Sequence, residues 1–282
     1  MLRTQRGLRL LGPSDVPAML ELTARDPVVN VFADYRTRLT QLDTRWLGGE
    51  VWGYHDDQGR LVSACHAAAN LVPVNATPEA IEHFAERAVS LRRRCATIVG
   101  PSEPVDALWE RLAPHWPVPR EVRPLQPHLE IASAPRVEPD PLVRRTVPTD
   151  LTALYPACVA MYTEEVGVSP EAGGGADLYR ARVSQLISKG WSFARIEDGR
   201  VVFKAEVAAA SPYACQVQGV YVDPSRRGEG LAAAGMAAVV SVALAEIAPV
   251  VSLYVNDHNE PARRAYARVG FEQTRTFTTI MF

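Results

Sequence analysis

The residues best suited to chemistry begin at Arg226-Arg227-Gly228-Glu229-Gly230, just ahead of a long small-residue run that starts Leu231-Ala232. Two glycines one residue apart let the backbone turn successive N–H groups inward around an anion. A helix behind them adds unpaired N–H groups and the positive end of its dipole. With two arginines beside it, such a nest suits a phosphate or pyrophosphate; a plain tight turn is the other reading of a lone GxG before a helix. A second constellation is Asn259, Ala262, Tyr266, Gly270 and Phe271, in which the Tyr266 phenol is a candidate proton donor. Candidate proton acceptors are Glu164, Glu165 and Glu206. Two adjacent carboxylates can raise one another's pKa when partly buried, although a solvated helix end is their more common fate.

The glycine run is neither of two familiar nucleotide motifs. A P-loop needs Lys-Ser or Lys-Thr after its last glycine, where Leu231-Ala232 stand, and a dinucleotide fingerprint needs a third glycine where Ala233 stands.

The elements that must hold these residues follow from local pattern. Alternating β-branched residues in Gln216–Val222 predict a strand, Asp223-Pro224 breaks it, and Leu231–Ile247 predicts a helix. Leu231–Ile247 is short of the ~20 residues that span a bilayer and rich in Ala, so it reads as a buried helix. Pro261–Val269 predicts the helix that carries Tyr266, with Pro near its first turn.

Much of this pattern occurs twice. VWGYHDDQGRLV around Trp52 and WSFARIEDGRVV after Trp191 are both strand, Asp/Gly turn, strand. Residues 97–112 echo 253–269, matching Glu103-Pro104 to Glu260-Pro261, and Arg123–Ile131 echoes Arg275–Phe282. The remaining helices are expected near Val16–Leu22, Pro78–Arg94, Val105–Leu112, Leu151–Thr163 and Leu178–Ser188, with strands at Ala96–Val99 and Val250–Val255. The fold class is α+β (mixed α/β), two domains of one fold, each a mostly antiparallel twisted sheet flanked by helices. The Pro-rich Ala132–Pro141 divides them into 1–135 and 136–282. Between its hairpin and next strand the first half carries Asn70–Arg94, which has no glycine, and Trp109 stands where the second half has Tyr266. The first half therefore reads as a degenerate copy without a phosphate loop.

Together, Val222-Asp223-Pro224 through Arg227-Gly228-Glu229-Gly230-Leu231-Ala232, and Asn259-x-x-Ala262-x-x-x-Tyr266-x-x-x-Gly270-Phe271, resemble the GNAT N-acyltransferases over roughly the last third of the chain. Ser225 stands where that family's stricter pattern has Gln or Arg. The resemblance implies acetyl-CoA or another acyl-CoA as cosubstrate, lying between splayed strands, its arm on the backbone of Val220, Tyr221 and Val222. It places the pyrophosphate at Arg226, Arg227, Gly228, Glu229, Gly230, Leu231 and Ala232, with Asn259, Ala262 and Tyr266 also lining the site. The implied activity is acyl transfer to a primary amine by direct attack in a ternary complex, with Tyr266 as the acid. A packing role for Tyr266 and a helix-capping role for Asn259 are the alternatives. Many relatives carry a Glu early on the central strand, where Gln216 stands here, so Glu164, Glu165 and Glu206 remain the candidates for the base. His258 reads as a loop residue, and Cys215 is the one thiol near the site, with no evident activating His. The two-domain layout also resembles an actinobacterial group in which a domain of unknown function precedes the GNAT domain, and the first domain is expected to wall the acceptor pocket or brace the second.

Composition bounds these readings. A net charge of −2 and a hydrophobic share of 47% describe a globular protein with no basic footprint for nucleic acid. Four scattered cysteines suggest neither a zinc site nor a disulfide framework. With no signal-peptide pattern, a cytoplasmic protein off the membrane is expected. A non-catalytic acyl-CoA sensor and a protein-modifying acetyltransferase are the rival functions, and the pattern leaves acceptor and oligomeric state open.

Overall fold

Apolar alternation around short polar turns decides the hairpins first. In the computed structural model, which describes residues 7–282, β1 (Gly7–Leu10) leads into α1 (Val16–Thr23), α2 (Val31–Thr40) and α3 (Thr44–Leu47). The hairpin of β2 (Glu50–His55) and β3 (Leu61–Ala67) turns on Asp56, whose carboxylate accepts from the amides of Gln58 and Arg60. Then come β4 (Asn70–Val74), α4 (Pro78–Leu91), β5 (Thr97–Pro101), α5 (Ser102–Leu112) and β6 (Glu121–Ile131). Helix α4 opens with the Thr77 cap and Pro78 and buries Ala80, Ile81, Phe84, Ala85 and Ala88, a helical stripe.

The later elements are β7 (Arg144–Arg145), α6 (Leu151–Val166), α7 (Ala176–Ser188), β8 (Ser192–Glu197), β9 (Arg200–Ala210), β10 (Cys215–Val222), α8 (Leu231–Glu246), β11 (Val251–Tyr254), α9 (Glu260–Val269) and β12 (Glu272–Met281). Hairpin β8–β9 turns on Asp198-Gly199, both at positive φ, as a two-residue turn requires.

These elements form two units, and the division departs from 1–135 and 136–282 at two places. Unit 1 runs to His128 and takes in Gln273–Phe282; unit 2 is Leu129–Glu272. Strand β12 therefore completes the sheet of unit 1, pairing antiparallel with β5 from Phe277↔Pro101 to Met281↔Thr97. It does so because Ile280 belongs to the core of Phe84, Ile98 and Leu108, while Phe282 meets Trp109 and Trp116 edge-on. Conversely, Leu129 and Ile131 at the end of β6 belong to the core of unit 2. The expected linker also lies in unit 2 and is bound to it: Arg136 N donates to Val269 O, Asp140 N to Ala234 O, and Asp140 pairs with Arg195.

Within unit 1, β2, β3 and β4 are antiparallel, α4 follows, β5 returns parallel to β4, and α5 follows β5. Within unit 2, β8, β9 and β10 are antiparallel, α8 follows, β11 returns parallel to β10, and α9 follows β11. The order of elements repeats. Neither α2 nor β4 stands out in the sequence. The polar α2 is held by Thr37 and Thr40 hydroxyls bonded to carbonyls four residues back and by the Asp34–Arg38 pair. Strand β4 is too short, with Pro73 inside it, to announce itself.

Candidate acyl-CoA site

In unit 2, β10 and β11 share only two register pairs, Cys215↔Val251 and Gln216↔Ser252. Beyond them the strands have no common ladder. On its other side β10 bulges against β9 between Gln218 and Tyr221. The backbone around Gly219 and Val220 thus leaves both neighbours at one point. Side chains of Val220 and Val222 pack on the core under α8, whereas Tyr221 faces the cluster of α6 and α7.

The turn after β10 is built by Asp223, which accepts from Ser225 N at 2.9 Å and Ser225 Oγ at 2.6 Å. That pairing gives Ser225 a structural role. Gly228 and Gly230 have φ of +86° and +84°, and an added Cβ would meet nothing within 4 Å at either, so backbone conformation alone demands glycine there. Gly230 is the N-cap of α8 and has no side chain to satisfy the first amides, so the helix opens at Leu231 and Ala232 without a side-chain cap. Unit 1 differs at the corresponding place: Thr77 Oγ1 caps α4 through Ala80 N, and Ser63 Oγ takes Thr77 N.

The arginines of the turn are engaged by carboxylates. Arg226 pairs with Glu229 at 2.7 Å and Glu197 at 2.8 Å, which raises its pKa, and Arg227 pairs with Glu164 at 2.7 Å. Of the carboxylates proposed as bases, Glu164 is thus an exposed ion-pair partner of the glycine turn. Glu165 accepts from the buried Asn256 at 3.0 Å. Glu206 is buried, and its two oxygens accept from Lys204 and Gln218.

Tyr266 lies on the inner face of α9, its ring buried and edge-on to Phe271. Burial first, then the negative charge of Glu165, pushes its phenol above the ordinary range. It therefore stays protonated at neutral pH, the state an acid needs. Asn259 Oδ1 caps α9 through Ala262 N at 3.2 Å, the capping role considered above, and Ala262 packs on the core. His258 sits in the preceding loop. Sequence reading passed over Lys204, Gln218 and Asn256; the Lys-x-Glu interruption of the apolar run in β9 was the signal for the first.

Residues 188–271 match the acetyltransferase (GNAT) family model. Unit 2 carries a GNAT domain. Residues 49–154 match a domain of unknown function, DUF4081. The chain thus joins one DUF4081 and one GNAT domain. No curated protein matches the sequence. Among solved structures, a GNAT-family acetyltransferase from Colwellia psychrerythraea is similar at 12% identity and TM-score 0.60, over 98% of this chain and 99% of that one. A GCN5-related N-acetyltransferase from Sphaerobacter thermophilus is 18% identical with TM-score 0.59, over 97% and 94%. A tandem GNAT protein from the clavulanic acid biosynthesis pathway is 15% identical with TM-score 0.57, over 98% of each chain. At these identities the likeness is one of fold. Among the described residues no three of His, Cys, Asp and Glu gather as metal ligands, and no helix is long and apolar enough to cross a membrane.

Proposed function

We propose that the GNAT domain transfers an acyl group, with acetyl-CoA the first donor to test, from the CoA thioester to a primary amine. The observation that carries this reading is the parting of β10 from β11 beside the uncapped start of α8. Open strand edges receive an amide-bearing arm, and the helix start with its two glycines receives a pyrophosphate. Within this reading Val220, Tyr221 and Val222 hold the arm, Gly228 to Ala232 hold the pyrophosphate, and Tyr266 protonates the departing thiolate. Arg226 and Arg227 exchange their carboxylate partners for phosphate as the donor binds.

Direct attack fits the thiols better than a covalent intermediate. Cys215 is buried and pushed up to about 12 by that burial, so it is no ready nucleophile. Unit 1, with its capped α4 and with Trp109 in place of a tyrosine, is proposed to be a degenerate relative of the same fold that binds no CoA. An intracellular location belongs to the same proposal.

The test is a thermal-shift titration with acetyl-CoA, CoA and longer acyl-CoAs on the wild type and on Gly228→Glu. A shift that grows with ligand and vanishes in the variant supports the site, because only a ligand of the native state stabilises it this way. No shift in well-folded protein sinks the reading.

A further inference from the structure

The apolar run of β9 is interrupted on one face by Lys204 and Glu206, whose side chains are only 2% and 11% exposed. Lys204 Nζ lies 3.0 Å from Glu206 Oε2, and Gln218 Nε2 donates to Oε1 at 3.0 Å. In register, Glu206 faces Gln218 and Lys204 faces Tyr221, the two residues between which β10 bulges. The ion pair therefore spans the bulge. Gly219 lies over it at φ +62°, where a Cβ would stand 3.0 Å from Glu206 Cδ and 3.1 Å from Lys204 Nζ. From the helical layer, the Cys158 thiol lies beside Lys204, and Tyr179 donates its hydroxyl proton to Cys158 O at 3.0 Å.

Stability does not account for this pair. Taking two charges out of water is costly, and well-packed apolar residues of similar volume commonly serve a fold as well or better. Composition does not account for it either. Of 30 basic residues only Lys189 and Lys204 are lysines, and Lys204 is among the largest fully buried side chains. A compact ammonium satisfied by few partners suits that position, where the five donors of a guanidinium would demand more. What distinguishes the pair is its place, against the backbone where β10 leaves both neighbouring strands.

We propose that Glu206 meets the acceptor's amine at the acyl-transfer point, with Lys204 and Gln218 as positioning residues that fix its two oxygens. The proposal rests on the acyltransferase reading above. The amine nitrogen attacks the thioester carbonyl carbon, and its proton passes to Glu206 as the N–C bond forms. The C–S bond breaks with its electron pair going to sulfur, which takes the Tyr266 proton. Amide and free thiol result, and Glu206 and Tyr266 return to their starting protonation through solvent.

Having two lysines gives the chain a direct probe. Full-length protein labelled with 15N-lysine shows two Nζ environments, and Lys204→Met assigns the buried one. Titration with acetyl-CoA should move the Lys204 signal, whereas adenosine 3′,5′-bisphosphate, which has no pantetheine arm, should leave it in place. Transfer is then followed as acetyl-CoA consumption with spermidine, tryptamine and an alanyl peptide as acceptors. Glu206→Gln should lose about a hundredfold in rate with acetyl-CoA binding retained. The double variant Lys204→Met/Glu206→Leu, which buries no lone charge, should stay folded and be equally slow. A Lys204 signal unmoved by saturating acetyl-CoA, or a double variant as fast as wild type, overturns the proposal and leaves the acyltransferase reading intact. Failure of the wild type to bind acetyl-CoA removes both.

Discussion

Arg227 Nη2 donates to Glu164 Oε2 at 2.7 Å, so a carboxylate near the end of α6 holds the second arginine of the glycine turn. Under the proposed function, phosphate competes with that carboxylate for the same guanidinium. Both side chains are about half exposed, at 48% and 57%, so the pair itself adds little to stability. Glu164→Gln should tighten acetyl-CoA binding by about two- to fivefold at low salt, with an unchanged melting temperature. Titration calorimetry at two ionic strengths checks this, and weaker binding in the variant would mean that Glu164 supports the turn.

Tyr266→Phe isolates the proposed acid. The ring keeps its packing on Phe271, so stability should change by under about 1 kcal/mol. Acetyl transfer should fall by about a hundredfold or more while acetyl-CoA still binds. Absence of transfer in the wild type as well, with binding in both, would instead indicate an acyl-CoA sensor.

Unit 1 should lose stability in mild acid. His66 is lowered to about 4 by burial and by the charge of Arg36, and His128 to about 4 by burial and by Arg275. Both start from 6.5, so between pH 6.5 and 4 the unfolded chain takes up protons that the folded one refuses. Stability is fully present above the unfolded value and falls through this window, by on the order of 3 kcal/mol for each group. Urea unfolding at pH 7 and pH 5 measures the slope. His128→Phe, which keeps a ring on Phe277, should remove about half of it.

Removal of Gln273–Phe282 should unfold unit 1, although every other residue of that unit lies before Leu129. The deletion takes away five register pairs with β5 and the buried Phe277, Ile280 and Met281, each contributing about 1.5–3 kcal/mol. Hydrogen exchange followed by mass spectrometry should show lost protection in β2 to β5. Persistent protection there would show that unit 1 stands without its last strand.

The hairpins, the glycine turn, α8 and α9 were legible because each is specified by near neighbours. Asp198-Gly199 sets a turn within four residues, Gly228 and Gly230 set a backbone path whatever surrounds them, and Pro261 starts a helix locally. Tyr266 could be found from its spacing to Asn259 and Gly270, since one helix fixes where all three point.

The partners of the carboxylates were not legible, because they come from elements distant in sequence. Glu165 meets Asn256 across 91 residues and Glu164 meets Arg227 across 63, and no local pattern encodes either pair. Even Lys204 and Glu206, two residues apart, acquire meaning only when the bulge at Gly219 lies against them.

Strands β6 and β12 draw the same line. Arg123–Ile131 and Arg275–Phe282 are alike as sequences, and each is plainly a strand. Sequence determined that two such strands exist and follow two similar sets of elements. Only tertiary structure decided that the last strand closes the first unit, since that depends on the fit of Ile280 and Phe282 among Trp109, Trp116 and Ile98, a packing relation that local pattern does not record.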